Sequence, residues 1–165
     1  MTKIIFKIKT SFLYLTNVIE KKMFSNSTKY AIKAVLYLAI HSSETKRIMV
    51  KDISKPINVP QAYIAKLLQE LSKQNIISSA RGRQGGFYLS QGNRKQSIMS
   101  IIDVIDGENK FNSCMLSLKE CDKDKPCPLH NVVFFSKSNL IKSLESKSVH
   151  ELSQEVKSGN SFLPL

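Results

Sequence analysis

Residues 60–90 read PQAYIAKLLQELSKQNIISSARGRQGGFYLS. In the first half, Ile64, Leu67, Leu68 and Leu71 recur at helical spacing and form one apolar face. The second half is short and β-branched, breaks at Arg81-Gly82-Arg83-Gln84-Gly85-Gly86, and resumes as Phe87-Tyr88-Leu89. That pattern predicts a helix followed by a two-stranded ribbon with a basic, glycine-rich tip. A helix displaying Gln61, Tyr63 and Lys66, joined to an arginine-tipped hairpin, has the layout of a winged helix-turn-helix. The expected fold is mainly α, with a small two-stranded β-wing and a long C-terminal helix.

Upstream, the chain supplies the rest of that unit. Ser25 to Thr28 offers N-cap chemistry for a first helix over about residues 27–41, with Tyr30, Ala31, Ala34, Val35, Leu38 and Ala39 inward. Residues 42–47 are a polar connection. A short second helix is expected over residues 50–54, with Val50 and Ile53 buried. Pro56 is expected to end it, because proline lacks the N–H and disfavours helix in the residue before it. Asn58 suits the turn, since asparagine tolerates a left-handed conformation. Pro60 suits the first turn of the third helix, where its missing N–H costs nothing.

Such a unit sets the third helix in the major groove with its N-terminal residues on base edges. Gln61 can bond an adenine edge with both side-chain atoms, and Lys66 can reach guanine or phosphate. Tyr63 reads either as a contact or as a core aromatic with its hydroxyl at the surface. Lys66 reads equally as a solvated lysine. In the wing, Gly82, Gly85 and Gly86 permit conformations other residues resist, and they let Arg81 and Arg83 approach DNA closely. An arginine there can enter a narrow minor groove. The plainer alternative is a tight hairpin with two solvated arginines.

Charge follows the same division. The 165 residues carry a formal net charge of +12. Residues 23–95 hold twelve Lys/Arg against three Asp/Glu, whereas residues 96–165 hold eight against nine. The basic excess lies on the candidate DNA-binding half, and that asymmetry favours a polyanionic partner. Apolar residues make up 42% of the chain, enough for a packed core. No nucleophile–base pairing or phosphate loop is visible, and the histidines are His41, His130 and His150, so an enzyme is not expected.

Residues 1–22 do not read as part of the domain, and Met23 has the look of a natural start. They are expected to be an extension or a wrongly assigned start. Lys7 and Lys9 interrupt their apolar run, no small-residue cleavage site follows, and the run is too short to span a bilayer. A membrane protein is therefore not expected, and a reducing cytoplasm is.

Downstream of the wing, residues 97–105 predict another helix with Ile98, Ile101, Ile102 and Ile105 inward, closed by Asp106-Gly107. Then comes CMLSLKECDKDKPCPLH, which holds all three cysteines. Cys114, Cys121 and Cys127 are a poor disulfide framework and a better ligand set. With His130 they give three thiolates and one imidazole within 17 residues, enough to close a four-coordinate site. The intervening Lys119, Glu120, Asp122, Lys123, Asp124 and Lys125 predict a surface loop. Soft thiolates suit iron–sulfur iron or zinc. The spacing lacks the close Cys-x-x-Cys pairs of zinc ribbons, which leans toward a cluster. Three unrelated thiols and a surface histidine is the bland alternative. Residues 129–144 then predict a helix with more apolar surface than one small domain needs, which points to a dimer interface. Ser148-Val149-His150-Glu151 reads as a capping box for a last short helix. The division expected is 23–95 for the DNA-binding unit, 96–156 for the cysteine loop and dimerisation helices, and 157–165 for a loose tail.

From Met23 to about Val156 the sequence resembles winged-helix regulators of the IscR, NsrR and RirA type, the Rrf-two family. The features that carry the resemblance are MFSNSTKYAIKAVLYLA, NVPQAYIAKLLQELSKQNII, SSARGRQGGFYL, SIIDVIDG, and three cysteines followed by PLH. The resemblance implies a homodimer with a long dimerising helix and an iron–sulfur cluster that tunes DNA binding. Gln61, Tyr63, Lys66 and Arg81 match the family's DNA-contact positions, and Cys114, Cys121 and Cys127 its cluster cysteines. In the NsrR type an acidic residue before the first-helix tyrosine is the fourth ligand; here that position is Lys29. In the IscR type a histidine three residues after the last cysteine serves, and His130 stands there. The resemblance thus favours a 2Fe–2S cluster over a 4Fe–4S one, on three Cys and one His. Three features depart from the pattern: a first cysteine spacing one residue longer than usual for IscR, the RGRQGG wing, and Ala65 where an acidic residue is usual.

The expectation is a cytoplasmic homodimeric transcriptional regulator that reads a pseudo-palindromic site on double-stranded DNA and senses iron, redox or nitric oxide status. Such a regulator can also meet RNA polymerase. The alternative is a winged-helix regulator with a structural zinc site, or one that senses through metal-free thiols or a partner protein.

Overall fold

The structure is a computed structural model and describes residues 23–108, 110, 111, 113, 114, 116, 122 and 124–165. Residues 1–22, Lys119, Glu120, Cys121 and Lys123 lie outside the described residues, and so do the expectations placed on them. The described elements run α1 (Asn26–His41), α2 (Val50–Ile57), α3 (Gln61–Lys73), β1 (Ser78–Ala80), β2 (Gly86–Tyr88), α4 (Gln91–Arg94), α5 (Ile98–Asp106), α6 (His130–Ser146) and α7 (Val149–Lys157).

α1 is the central helix. Its N-cap is Ser25, whose hydroxyl accepts the Thr28 amide at 3.1 Å and so satisfies one of the donors a helix start leaves open. Ala31, Ala34, Val35, Leu38 and Ala39 are buried, as their spacing requires. Around them pack α2, α3, α5 and α7. Ile53, Ile64, Leu68, Ile101, Ile102 and Val149 are completely buried in the same core. At the other end of α1, the Arg94 guanidinium donates to the carbonyls of Ala39 at 2.8 Å and Ser42 at 3.1 Å. A cation there also meets the negative end of the helix dipole.

The second helix is longer than its proline led us to expect. Pro56 lies inside α2, which continues to Ile57. The reason is position. Pro56 is the last residue but one, so only Ile57 continues the helix beyond it, and the missing N–H forfeits a single bond to the Asp52 carbonyl. The end is then closed by Asn58 in the left-handed conformation, φ 55°. Asn58 and Val59 donate their amides back to Lys55 and Ser54 at 3.1 and 3.2 Å, recovering the carbonyls that the helix end would leave open.

β1 and β2 form an antiparallel ribbon in the register Ser78–Tyr88, Ser79–Phe87 and Ala80–Gly86. Ile48 joins its other edge, exchanging amide and carbonyl bonds with Phe87 at 2.9 Å each way. Gly86 makes that approach feasible: its φ is +149°, and a Cβ there would stand 2.7 Å from the Ile48 carbonyl oxygen. The short α4 was not foreseen. Ser90 and Asn93 cap it reciprocally, and Asn93 also accepts from Ser78 and donates to the Asn75 carbonyl.

α5 begins after Ser97 and ends at Gly107, φ +90°. α7 opens on the expected capping box of Ser148 and Glu151. A bridge between Ser97 and Ser148 ties the starts of α5 and α7 together. Beyond α7, Leu163 rests half-buried on the core while Phe162 is 95% exposed. Among the described residues, no helix is long and apolar enough to cross a membrane.

Candidate nucleic-acid interface and cysteine segment

The buried stripe of α3 is Ile64, Leu68 and Leu71. Helical geometry puts Lys66 opposite that stripe, with Gln61 and Tyr63 on its flanks. All three are exposed. Tyr63 packs its ring while keeping its hydroxyl near the surface. It is 39% exposed, its ring meets the Tyr30 ring edge-on at 6.0 Å, and its hydroxyl shares a 2.7 Å hydrogen bond with the Ser27 hydroxyl. Ser27 was not singled out in the sequence. Its partner is 36 residues away, and nothing local announces the pairing.

Arg81 and Arg83 are exposed at the wing tip, and among the described residues neither pairs with a carboxylate. The tip is closed by the Gly85 amide donating to the Gly82 carbonyl at 2.9 Å. A Cβ at Gly85 would collide with the Ala80 carbonyl oxygen at 2.5 Å, so this turn needs glycine for its own closure. At the root of the wing, the Arg47 guanidinium lies 5.7 Å over the Tyr88 ring, a contact worth about 0.5–1 kcal/mol at an exposed position.

The cysteine segment is described in part. Cys114 is half-buried, and Cys127 is a half-buried free thiol. His130 opens α6; it is 9% exposed, its amide donates to the Cys127 carbonyl at 2.9 Å, and its ring stacks on Phe134 at 5.1 Å. The Lys137 ammonium donates to the Ser113 carbonyl at 2.8 Å, which ties the residue before Cys114 to α6. Between them, Asp122 accepts the amides of Asp124 and Lys125 in a small exposed turn. Among the described residues, no group of three His, Cys, Asp or Glu side chains converges. Cys114, Cys127 and His130 thus do not by themselves form such a group, and Cys121 is outside the described residues. By chemistry the donor set still suits an iron–sulfur cluster or zinc: thiolates and one imidazole. Lys29 is exposed in the first turn of α1.

Two acids on α5 are shifted in opposite directions. Asp106 has a side chain only 6% exposed. Burial pushes its carboxyl up, but the Ser25 hydroxyl and amide, the Thr28 hydroxyl and Lys110 outweigh that and hold it below its ordinary value. Asp103, one helical turn earlier, is raised by burial and then by Glu108 and Glu145. Its Oδ1 is buried with no hydrogen-bond partner among the described residues.

The profile of Rrf2, described as an iron-dependent transcriptional regulator, matches residues 24–155. A helix-turn-helix transcriptional regulator of Aquifex aeolicus is 32% identical over 111 residues, covering 66% of this chain and 76% of the relative. The regulator IscR of Xenorhabdus nematophila is 28% identical over 130 residues, 78% of each chain. Among solved structures, CymR, the global cysteine regulator of B. subtilis, superposes with a TM-score of 0.64 at 21% identity, over 79% of this chain and 95% of that one. These proteins are regulators rather than enzymes. With four-fifths of its length matched by one family profile and a winged helix-turn-helix fold, the chain belongs to the Rrf2 family of transcriptional regulators.

Proposed function

We propose that the protein is a cytoplasmic homodimer that binds an operator on double-stranded DNA and changes its affinity with the state of an iron–sulfur cluster. The observation that carries the DNA reading is that Gln61, Tyr63 and Lys66 on α3 and Arg81 and Arg83 at the wing tip are all exposed, within the basic half of the chain. Lys66 and Gln61 read or approach base edges in the major groove. Arg81 and Arg83 reach the adjacent minor groove or its phosphates. The exposed Val132 and Phe135 of α6 support a dimer through that helix, each being 72% exposed. Two recognition helices would then lie about one DNA turn apart and read a pseudo-palindrome.

Cys114, Cys121, Cys127 and His130 would hold the cluster, 2Fe–2S in preference to 4Fe–4S. When bound it supplies a centre sensitive to iron supply, oxidants and nitric oxide. The chain's own part is to couple the segment that carries those ligands to the DNA face. Regulation of this kind works only if the two loop states differ in stability between DNA-competent and incompetent arrangements. Contact with RNA polymerase and the division at residues 95 and 96 belong to this same proposal.

The test is anaerobic purification, a visible spectrum, and iron and acid-labile sulfide counts, followed by operator binding before and after chelation. Matched iron and sulfide, lost in Cys121→Ala together with a change in affinity, is the expected result. A colourless protein with stoichiometric zinc would replace this reading with a structural metal site. The half-buried free thiol of Cys127 favours a second reading, in which the thiols respond to oxidants directly. It predicts that peroxide changes DNA affinity in metal-free protein and that Cys127→Ser abolishes the change.

A further inference from the structure

The first turn of α1 is gripped from two sides. On one side, Asp106 Oδ2 accepts the Ser25 amide at 3.2 Å and lies 3.3 Å from the Lys110 ammonium. Next to it the Phe24 ring meets Phe111 edge-on at 6.1 Å, and Phe111 is only 8% exposed. On the other side, Ser27 holds the Tyr63 hydroxyl at 2.7 Å and Tyr30 holds its ring. Residues 24 and 25 therefore face the end of α5, while residues 27 and 30 face the recognition helix. Lys110 and Phe111 stand four and three residues before Cys114.

We propose that Asp106 and Ser27 are positioning residues for DNA recognition: Asp106 fixes the first turn of α1, and Ser27 on that turn fixes the hydroxyl of Tyr63 at the DNA face. The inference rests on the DNA-binding reading above and adds the route by which the cysteine segment reaches it. α3 also packs directly on α5. That contact is made through the buried side of α3, so it sets the helix axis and leaves the exposed hydroxyl of Tyr63 to Ser27. A buried carboxylate that satisfies a helix-start amide is a strong local anchor, because charge-assisted bonds are shorter and stronger than neutral ones. Any rearrangement of the cysteine segment that moves Lys110 or Phe111 acts on the same turn, and so on Tyr63.

The experiment uses the full chain and two duplexes: one enriched by the wild-type protein from a random-sequence library, and a scrambled duplex of equal composition. Ser27→Ala is expected to weaken binding to the enriched duplex about fivefold, and Asp106→Ala about tenfold, with the scrambled duplex little affected. Ser27→Thr restores binding. The double variant loses about tenfold rather than about fiftyfold, because both changes cut one linkage. In protein labelled at tyrosine Cζ, the Tyr63 resonance shifts in Asp106→Ala as it does in Ser27→Ala. Asp106→Asn and Lys110→Ala serve if Asp106→Ala does not fold; each is expected to move the same resonance in the same direction. Losses that multiply, losses equal on both duplexes, or a Tyr63 resonance indifferent to residue 106 overturn the proposal. A wild-type protein that enriches no duplex overturns the DNA-binding reading instead, and the resonance still decides whether Asp106 governs Tyr63.

Discussion

α3 has 13 residues and completely buries Ile64, Leu68 and Leu71; α6 has 17 residues and buries only His130. Both contain apolar residues at helical spacing. The difference lies in what covers them. α3 finds α1, α2 and α5 within the same chain, while α6 touches mainly α5 and leaves Val132 and Phe135 to solvent. Apolar periodicity therefore reports that a face wants to be covered. It does not report whether the cover is in the same polypeptide. α3 is thus satisfied by its own chain, whereas Val132 and Phe135 of α6 are not.

Breaking each helix in turn tests that contrast most severely. Leu68→Ala should destabilise the fold by about 2–5 kcal/mol, from lost burial and the cavity left behind. Phe135→Ala should change the unfolding free energy of dilute protein by no more than about 0.5 kcal/mol. Urea titrations measure both, and equal losses would erase the distinction. At higher concentration the ranking reverses. Phe135→Asp should raise the dimer dissociation constant at least about tenfold in sedimentation equilibrium, since a charge would enter the buried centre of an interface. An unchanged constant would remove α6 from the proposed dimer.

The charge asymmetry gives a third test. Arg81→Ala and Arg83→Ala should each cost about 1–3 kcal/mol of operator binding if they meet base edges, or lower the salt slope by about 1 if they meet phosphate. Lys142→Ala on the exposed side of α6 should do neither. The smallest effect sharpens the comparison within α5 itself. The raised carboxyl of Asp103 is at home when neutral, so its contribution favours the fold at low pH and is lost as pH rises through its folded value. Asp103→Asn should therefore raise the melting temperature by about 1–3 °C at neutral pH and by nothing in acid. Asp106 has the opposite sign: its stabilisation is present above the ordinary carboxylate range and is lost as pH falls through its lowered value. Asp106→Asn should cost stability at neutral pH only.

What was legible in the sequence was what local chemistry decides. Ser25 as a cap, Asn58 in the left-handed region, and the Ser148–Glu151 box all follow from residues within a few positions of one another. Pro56 misplaced the helix end by its immediate neighbour only: Ile57 still belongs to the helix, and the left-handed Asn58 closes it. α4 has four residues, too few to show a period, although Ser90 and Asn93 do stand at capping-box spacing. The anchoring bonds at the candidate site span the chain: Ser27 to Tyr63 over 36 residues and Ser25 to Asp106 over 81. No motif encodes such pairs; they exist only once the core has set the helices side by side. The cysteine segment shows the converse case, where the sequence supplies the donor types and spacing but cannot say whether they meet.

The wing is stitched at its root to Ile48 through Phe87, and glycine at 86 lets the Ile48 backbone come too close for a side chain between them. Most of its backbone ordering is thereby completed during folding. Encounter with a duplex then has little left to freeze apart from the long side chains of Arg81 and Arg83, at about 0.5–1.5 kcal/mol each. A wing anchored in this way should release slowly once seated, whereas a longer, unpinned hairpin bearing the same two arginines would surrender part of that advantage to its own freedom.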